Sequence, residues 1–125
     1  MESFAQQSYD LHVQQGATFA WVGALVDMDD VSGEITPLDL TSATARMHVR
    51  KRPRSTAILI DLTTENGRIT LGASNGTVQL NLTHSDTQGL PAGVAFYDLE
   101  LVTGSVVDRV MSGCFIISQE ITRPQ

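Results

Sequence analysis

Three aspartates close together are the residues whose chemistry is easiest to name. Asp27, Asp29 and Asp30 lie in a short stretch that continues to Gly33 and Pro37, which are residues typical of turns. Clustered carboxylate oxygens are the ligands that a hard cation such as Ca²⁺ needs, but an EF-hand loop requires further ligands and a glycine at a fixed place. We therefore interpret residues 27–37 as an acidic, solvated loop, predict no metal site, and treat the aspartates as a candidate docking surface.

The histidines and the single cysteine form no pattern typical of catalysis. His12, His48 and His84 are far apart in the sequence, and each has the polar neighbours of a strand surface or loop. Cys114 precedes an apolar run, so we interpret it as a small buried hydrophobe rather than a nucleophile, which would need a histidine and an electropositive setting. We expect no nucleophile elbow of the Gly-x-Ser-x-Gly type, and the chain has no phosphate loop and no dinucleotide fingerprint. We predict a protein that is not an enzyme and that has no cofactor.

The basic residues are concentrated in one place. Of the eight lysines and arginines, five lie within one short stretch: Arg46, Arg50, Lys51, Arg52 and Arg54. The net charge of −6 disfavours nucleic-acid binding, which needs a basic surface, and no aromatic residues are interleaved with the cluster to stack on bases. Two interpretations stay open. The cluster docks on an acidic partner, or it is a solvated strand face followed by a loop.

Alternation of apolar and polar residues indicates the elements that position these side chains. The clearest strand covers residues 43–50, where Ala45, Met47 and Val49 face inward. Residues 8–14 predict a first strand. Residues 17–26 predict a second, with Trp21 in the core and a second apolar face that is either covered or lies near a partner chain. About eight short strands joined by Gly and Asn turns predict an all-β, antiparallel sandwich of two packed sheets.

Three further features limit the setting of the domain. We predict one domain over residues 8–123, preceded by an N-terminal arm over residues 1–7 in which Phe4 is a candidate interface residue. No apolar run is long enough for a membrane span, and the N-terminus lacks a signal-peptide pattern, so a cytoplasmic origin is expected. An unpaired β-edge would be a site for strand addition by a neighbouring subunit.

Four segments, in the same order and spacing, resemble a known group of proteins. They are residues 9–19, which contain Gln-Gly-Ala-Thr-Phe, residues 38–50, residues 97–113, which contain Tyr-Asp-Leu-Glu-Leu, and residues 121–123. Together they resemble small virion proteins and adaptor domains of tailed bacteriophages. That resemblance implies an immunoglobulin-like β-sandwich of about seven or eight strands. It also implies a structural role in the tail, baseplate, neck or fibre-attachment region, without catalytic residues.

The resemblance also implies partners and a location. The partners would be other phage structural proteins and further copies of this chain, in a symmetric oligomer or ring, and the location would be a virion assembled in the host cytoplasm. Ser42 stands where the group often has glycine, and the segment 27–34 is longer and more acidic than in the group. The alternative hypothesis is a β-sandwich module that binds a carbohydrate or a receptor.

Overall fold

The computed structural model describes residues 7–123, and their regular structure is almost entirely β-strand. The strands are β1 (Gln7–Ser8), β2 (Leu11–Gln14), β3 (Phe19–Ala24), β4 (Val26–Met28), β5 (Ile35–Pro37), β6 (Thr44–Arg50), β7 (Ile60–Thr63), β8 (Ile69–Leu71), β9 (Thr77–Leu82), β10 (Gly93–Thr103) and β11 (Val106–Ser118). A short 3-10 turn, Ala73–Asn75, precedes β9, and the helix α1 (His84–Gln88) precedes β10. The prediction of an all-β fold is confirmed. No helix in this described part of the chain is both long and apolar enough to span a membrane.

The strands form two main sheets and a hairpin. The larger sheet has the order β1-β11-β10-β6-β7, with β2 also paired to β11, and the smaller one has the order β3-β9-β8. All pairs are antiparallel except that β1 and β2 run parallel to β11, so the prediction of a purely antiparallel fold is wrong at that edge. Parallel neighbours need a long crossover connection, and here the whole chain between β2 and β11 supplies it.

Side chains from both sheets meet in one core. Strand β6 alternates as its sequence predicts, with Ala45, Met47 and Val49 buried. They belong to the same buried cluster as Ile69 of β8 and Leu80 of β9, which lie in the smaller sheet. Burial of these apolar faces against each other is the main stabilising term of the fold.

The segment 27–37, predicted to be a loop, is a β-hairpin. Strand β4 pairs with β5 in antiparallel register, Met28 opposite Ile35, and the carboxylate of Asp29 closes the turn. Asp29 Oδ1 accepts hydrogen bonds from the backbone N–H groups of Val31 (2.8 Å) and Ser32 (3.2 Å). These bonds hold the pKa of Asp29 below its ordinary value. The short strands on either side of the turn were not predicted, because turn residues dominate this segment.

The other turns match their sequence signals more closely. Gly67 and Gly76 both have positive φ, as the predicted Asn-Gly turns require. Thr83 caps α1 in a capping box with Asp86. Arg68 Nη2 donates to Asp86 Oδ1 at 2.8 Å, and this bond lowers the pKa of Asp86.

The first strand is interrupted at Tyr9, and side chains replace the missing ladder bonds. The N–H of Cys114 donates to Asp10 Oδ1 at 3.0 Å, and the hydroxyl of Tyr97 donates to the carbonyl oxygen of Tyr9. Gly113 lies directly against that carbonyl. Gly113 is paired in register with Tyr97, and the register shift of β11 falls three residues earlier, at Val110.

The Tyr97 hydroxyl gives a prediction for alkaline pH. Burial, followed by the nearby charge of Asp10, raises the pKa of Tyr97 above its ordinary value of about 10. The folded protein therefore keeps a proton that the unfolded chain loses above pH 10, so this stabilising contribution is complete below pH 10 and is lost as the pH rises. We expect it to fall by about 1 kcal/mol between pH 10 and 11.

Urea unfolding of the wild type and of Tyr97→Phe at both pH values measures this effect. The phenylalanine variant keeps the buried ring and loses only the titrating group. Its free energy of unfolding is expected to depend less on pH than that of the wild type. Identical pH slopes for the two proteins would contradict the assignment.

Candidate interaction surfaces

The outward face of the larger sheet forms a shallow depression of about 690 Å³. It is lined by alternate residues of β6, β10 and β11, because successive side chains of a strand point to opposite faces. Phe96 and Pro53 contribute apolar surface, while Arg46, Asp98 and Ser112 contribute polar groups. We refer to this surface as the sheet-face depression.

Most charges of the sheet-face depression are paired with one another. Arg46 Nε lies 2.9 Å from Glu100 Oε1, and Arg109 Nε lies 3.4 Å from Asp98 Oδ2. Exposed pairs of this kind contribute little to stability. Their consequence is electrostatic: the face presents little unbalanced charge to a ligand.

The side chain of Arg50 is hydrogen-bonded to the loop that follows β6. Its Nη1 donates to the carbonyl oxygens of Ser55 (3.0 Å) and Thr56 (2.9 Å), and its Nη2 lies 3.1 Å from Nδ1 of His48. A guanidinium group can only donate, so Nδ1 accepts and the ring proton lies on Nε2. That nitrogen is 3.6 Å from Oδ1 of Asp61, which has no hydrogen-bond partner in the described structure.

The structure therefore divides the predicted basic cluster in two. Arg46 and Arg50 lie on the sheet face with partners of their own. Lys51, Arg52 and Arg54 are exposed in the loop between β6 and β7, and within residues 7–123 none of their side chains forms an ion pair. We call these three residues the basic loop, and they are free to meet an acidic partner.

The acidic residues lie at the other end of the same strand. Asp27, Asp29 and Asp30 are exposed on the β4–β5 hairpin, which leads into the start of β6, whereas the basic loop follows its end. A strand of seven residues spans about 20 Å. We call this element the acidic hairpin. The remaining candidate interface residue, Phe4, lies outside the described residues.

A second depression, of about 560 Å³, opens between β2 and β3. Trp21 lines it, with its ring centroid 5.7 Å from that of Tyr9, and Asp10 and Gln14 also line it. We predicted Trp21 to be a core residue, but it is only half-buried against the core. Its strand lies at a sheet edge, so one side of the indole is not covered.

The cysteine and the histidines are not close enough together to form a catalytic pair. Cys114 is half-buried in the sheet-face depression rather than fully buried as predicted. His48 is on β6, two strands away from β11 and two residues out of register with Cys114. The strand spacing and this offset place their Cα atoms about 12 Å apart, beyond hydrogen-bond reach. His12 and His84 are exposed. Residues 7–123 contain no group of three side chains suited to a metal ion.

Residues 72–76 have the Gly-x-Ser-x-Gly spacing of a hydrolase nucleophile elbow, so our expectation that the sequence contains no such motif is wrong. In such an elbow the serine lies on a sharp turn between a strand and a helix. Here Ser74 is exposed in the 3-10 turn between antiparallel β8 and β9. Asn75 Oδ1 accepts from the N–H and hydroxyl of Thr77, and Gly76 has positive φ. The tight turn between β8 and β9 therefore explains the glycines at both ends of this motif.

Comparison of the chain with models of known protein families and with curated proteins gave no match.

Proposed function

We propose that this chain is a non-enzymatic structural component of a tailed-phage virion that acts through protein–protein contacts. The observation that carries the proposal is the separation of charge along β6, with the acidic hairpin before the strand and the basic loop after it. The four sequence segments that resemble virion proteins support it. The site would be the tail, baseplate, neck or fibre-attachment region.

The finer fold assignment is part of this proposal: an immunoglobulin-like β-sandwich. The strand orders support it. In immunoglobulin domains one sheet has the order G-F-C-C′ and the other contains B-E-D. Strands β11-β10-β6-β7 and β3-β9-β8 follow these two orders. In this correspondence the acidic hairpin occupies the B–C connection and the basic loop the C–C′ connection.

Opposite charges at opposite ends suit head-to-tail association. The basic loop of one copy would meet the acidic hairpin of the next, since complementary charge increases the encounter rate and fixes the orientation. A head-to-tail contact closes into a ring when the rotation between copies divides a full turn. Other phage structural proteins would contact the ring through its remaining surface.

Reversal of these charges tests the contact. The triple variant Lys51→Glu, Arg52→Glu, Arg54→Glu is expected to weaken assembly about tenfold, equivalent to about 1.4 kcal/mol, because exposed ion pairs contribute roughly 0.2–1 kcal/mol each. Light scattering across a concentration series measures assembly. The reversed hairpin, Asp27→Lys with Asp30→Lys and Glu34→Lys, is the matched variant and has a net positive charge. Asp29 is left intact because it closes the turn.

Combining both reversals in one chain restores complementarity. In the combined variant the loop is acidic and the hairpin is basic, so assembly is expected to recover. Mass spectrometry of purified particles tests the location directly. Absence of the chain from particles would refute the virion role, and failure of the combined variant to recover would refute head-to-tail pairing.

One observation favours the second candidate, a module that binds a carbohydrate or receptor. Trp21 and Tyr9 form an aromatic pair at the rim of a depression that also contains Asp10 and Gln14. Sugars stack on aromatic rings while their hydroxyls bond to acid and amide groups. Soluble glycans that change the fluorescence of Trp21, the single tryptophan, would support this role, and its indifference to them would favour the structural one.

A further inference from the structure

Strand β3 has an edge that the described structure leaves unpaired. It bonds to β9 on one side, and no strand within residues 7–123 pairs with its other side. Natural proteins protect such edges with charged residues, proline or bulges. Strand β3 has none of these, since its residues are Phe-Ala-Trp-Val-Gly-Ala.

The other sheet edges are protected. At one end of the larger sheet, β7 carries Asp61, and at the other, β2 carries His12 and is interrupted before Leu11. The edge of the smaller sheet opposite β3 is β8, which has only three residues and follows Arg68. The edge of β3 is therefore the longest one in the described structure that lacks a charged or titratable side chain.

The outward side chains of β3 are arranged symmetrically. Ala20, Val22 and Ala24 point away from the core, and Val22 is 61% exposed. We had predicted this second apolar face to be covered or to lie near a partner chain, and within the described residues it is not covered. An antiparallel copy of the strand centred on Val22 would place valine opposite valine and each Ala20 opposite an Ala24.

The inward side of the strand fits the same arrangement. The ring of Trp21 lies over Gly23 of its own strand, where a Cβ atom would overlap the indole. Pairing about Val22 would place Trp21 opposite Gly23 of the second copy. Because glycine has no side chain, the second strand can approach without displacing the indole.

We propose that β3 pairs antiparallel with β3 of a second copy of this chain, about a two-fold axis at Val22. The two three-stranded sheets then become one continuous sheet of six strands, and both unpaired edges are satisfied. The inference rests on the proposed role in protein–protein contacts, but it uses a different surface from the acidic hairpin and basic loop. The contact is isologous, whereas head-to-tail pairing is not.

Cysteine cross-linking tests the register, with Cys114→Ser as the background. Residues opposite each other in antiparallel strands have Cα atoms about 4.5–5.5 Å apart, within the range of a disulfide. Val22→Cys is therefore expected to form a disulfide-linked dimer on mild oxidation. Ala20→Cys and Ala24→Cys are each expected to stay monomeric on a non-reducing gel and to cross-link when mixed, because the two copies of residue 20, like those of residue 24, would lie about 14 Å apart.

Charge at the edge tests the contact without cysteine. Val22→Lys is expected to weaken dimerisation at least about tenfold in light scattering, because a lysine on an edge strand opposes edge-to-edge pairing. Val94→Lys is the matched control, since Val94 is 55% exposed and lies in the other sheet. It should dimerise as the wild type does. Equal dimerisation by both lysine variants would overturn the proposal.

Hydrogen exchange identifies what covers the edge. Alternate β3 amides bond to β9, so the amides that report on the edge are those that point away from β9. Their protection is expected to increase with protein concentration in the wild type. Protection of these edge-facing amides in a monomeric wild type would mean that a segment of the same chain covers the edge, and this would overturn the proposal. A monomer that is nevertheless present in purified particles would refute the β3 dimer alone and leave the virion role intact. A β3-linked dimer absent from particles would refute only the virion role.

Discussion

Phe115→Ala is expected to lower the free energy of unfolding by about 3–5 kcal/mol, because a large aromatic side chain is removed from a fully buried position. Phe115 has 0% exposure. Its ring packs edge-to-face against two other rings. The centroid distance is 6.5 Å to Phe19 and 6.4 Å to Tyr97. Phe19 belongs to the smaller sheet and Tyr97 to the larger, so this ring connects the two sheets.

Chemical denaturation of the purified protein measures the loss. Domains of this size are typically stable by about 5–15 kcal/mol, so the alanine variant is expected to be close to the limit of folding. Phe115→Leu keeps most of the volume and should lose less. Ile116→Ala is the control, since Ile116 is the next residue along β11 and points to the partly exposed face. Equal losses at residues 115 and 116 would contradict the placement of Phe115 between the sheets.

The strand pattern of this core could be predicted because successive side chains of a strand alternate between the two faces of a sheet, so the local sequence shows which residues are buried. In β6 the alternation of Met47 and Val49 with charged residues was enough to assign the inward face. Pairing partners are different. The parallel contact of β2 with β11 joins residues about a hundred positions apart, and no local pattern in residues 11–14 indicates it.

The candidate surfaces show a similar division. The positive charges of residues 46–54 were evident in the sequence, but their separation was not. Arg50 turns to the carbonyl oxygens of Ser55 and Thr56, whereas the neighbouring Lys51 does not share these bonds. The hairpin around Asp29 was missed because its two strands are only three residues long and the segment between them consists of turn residues. The exposure of Trp21 was missed because it depends on the edge position of β3, which is a property of the sheet order.

The three surfaces proposed for contacts have one physical feature in common. The basic loop and the acidic hairpin lie in connections, where side-chain charge is not balanced by a neighbouring strand. The outer edge of β3 carries no side-chain charge, but its backbone N–H and C=O groups likewise have no partner strand within residues 7–123. The sheet-face depression, in contrast, pairs Arg46 with Glu100 and Arg109 with Asp98. Its charges are satisfied within the domain, which leaves recognition to the ends and to the edge.

Gly113→Ala is expected to lower the free energy of unfolding by about 2–3 kcal/mol, because an added methyl group must overlap backbone atoms that cannot move aside. A Cβ atom at residue 113 would overlap the carbonyl oxygen of Tyr9 and would lie 2.8 Å from its carbonyl carbon. Tyr9 is fixed by its N–H bond to the carbonyl of Ser112 (2.8 Å) and by the hydroxyl of Tyr97.

The damage from Gly113→Ala is also expected to be local. Displacing Tyr9 would break the bond from Tyr97, so hydrogen exchange should accelerate at the amides of Tyr9 and Cys114 before it does in β9. Gly89→Ala is the matched control, because a Cβ atom there meets nothing within 4 Å and its φ of −82° suits alanine. Its stability should stay within about 0.5 kcal/mol of the wild type. If Gly113→Ala were as stable as Gly89→Ala, the close approach of the first strand to β11 would be refuted.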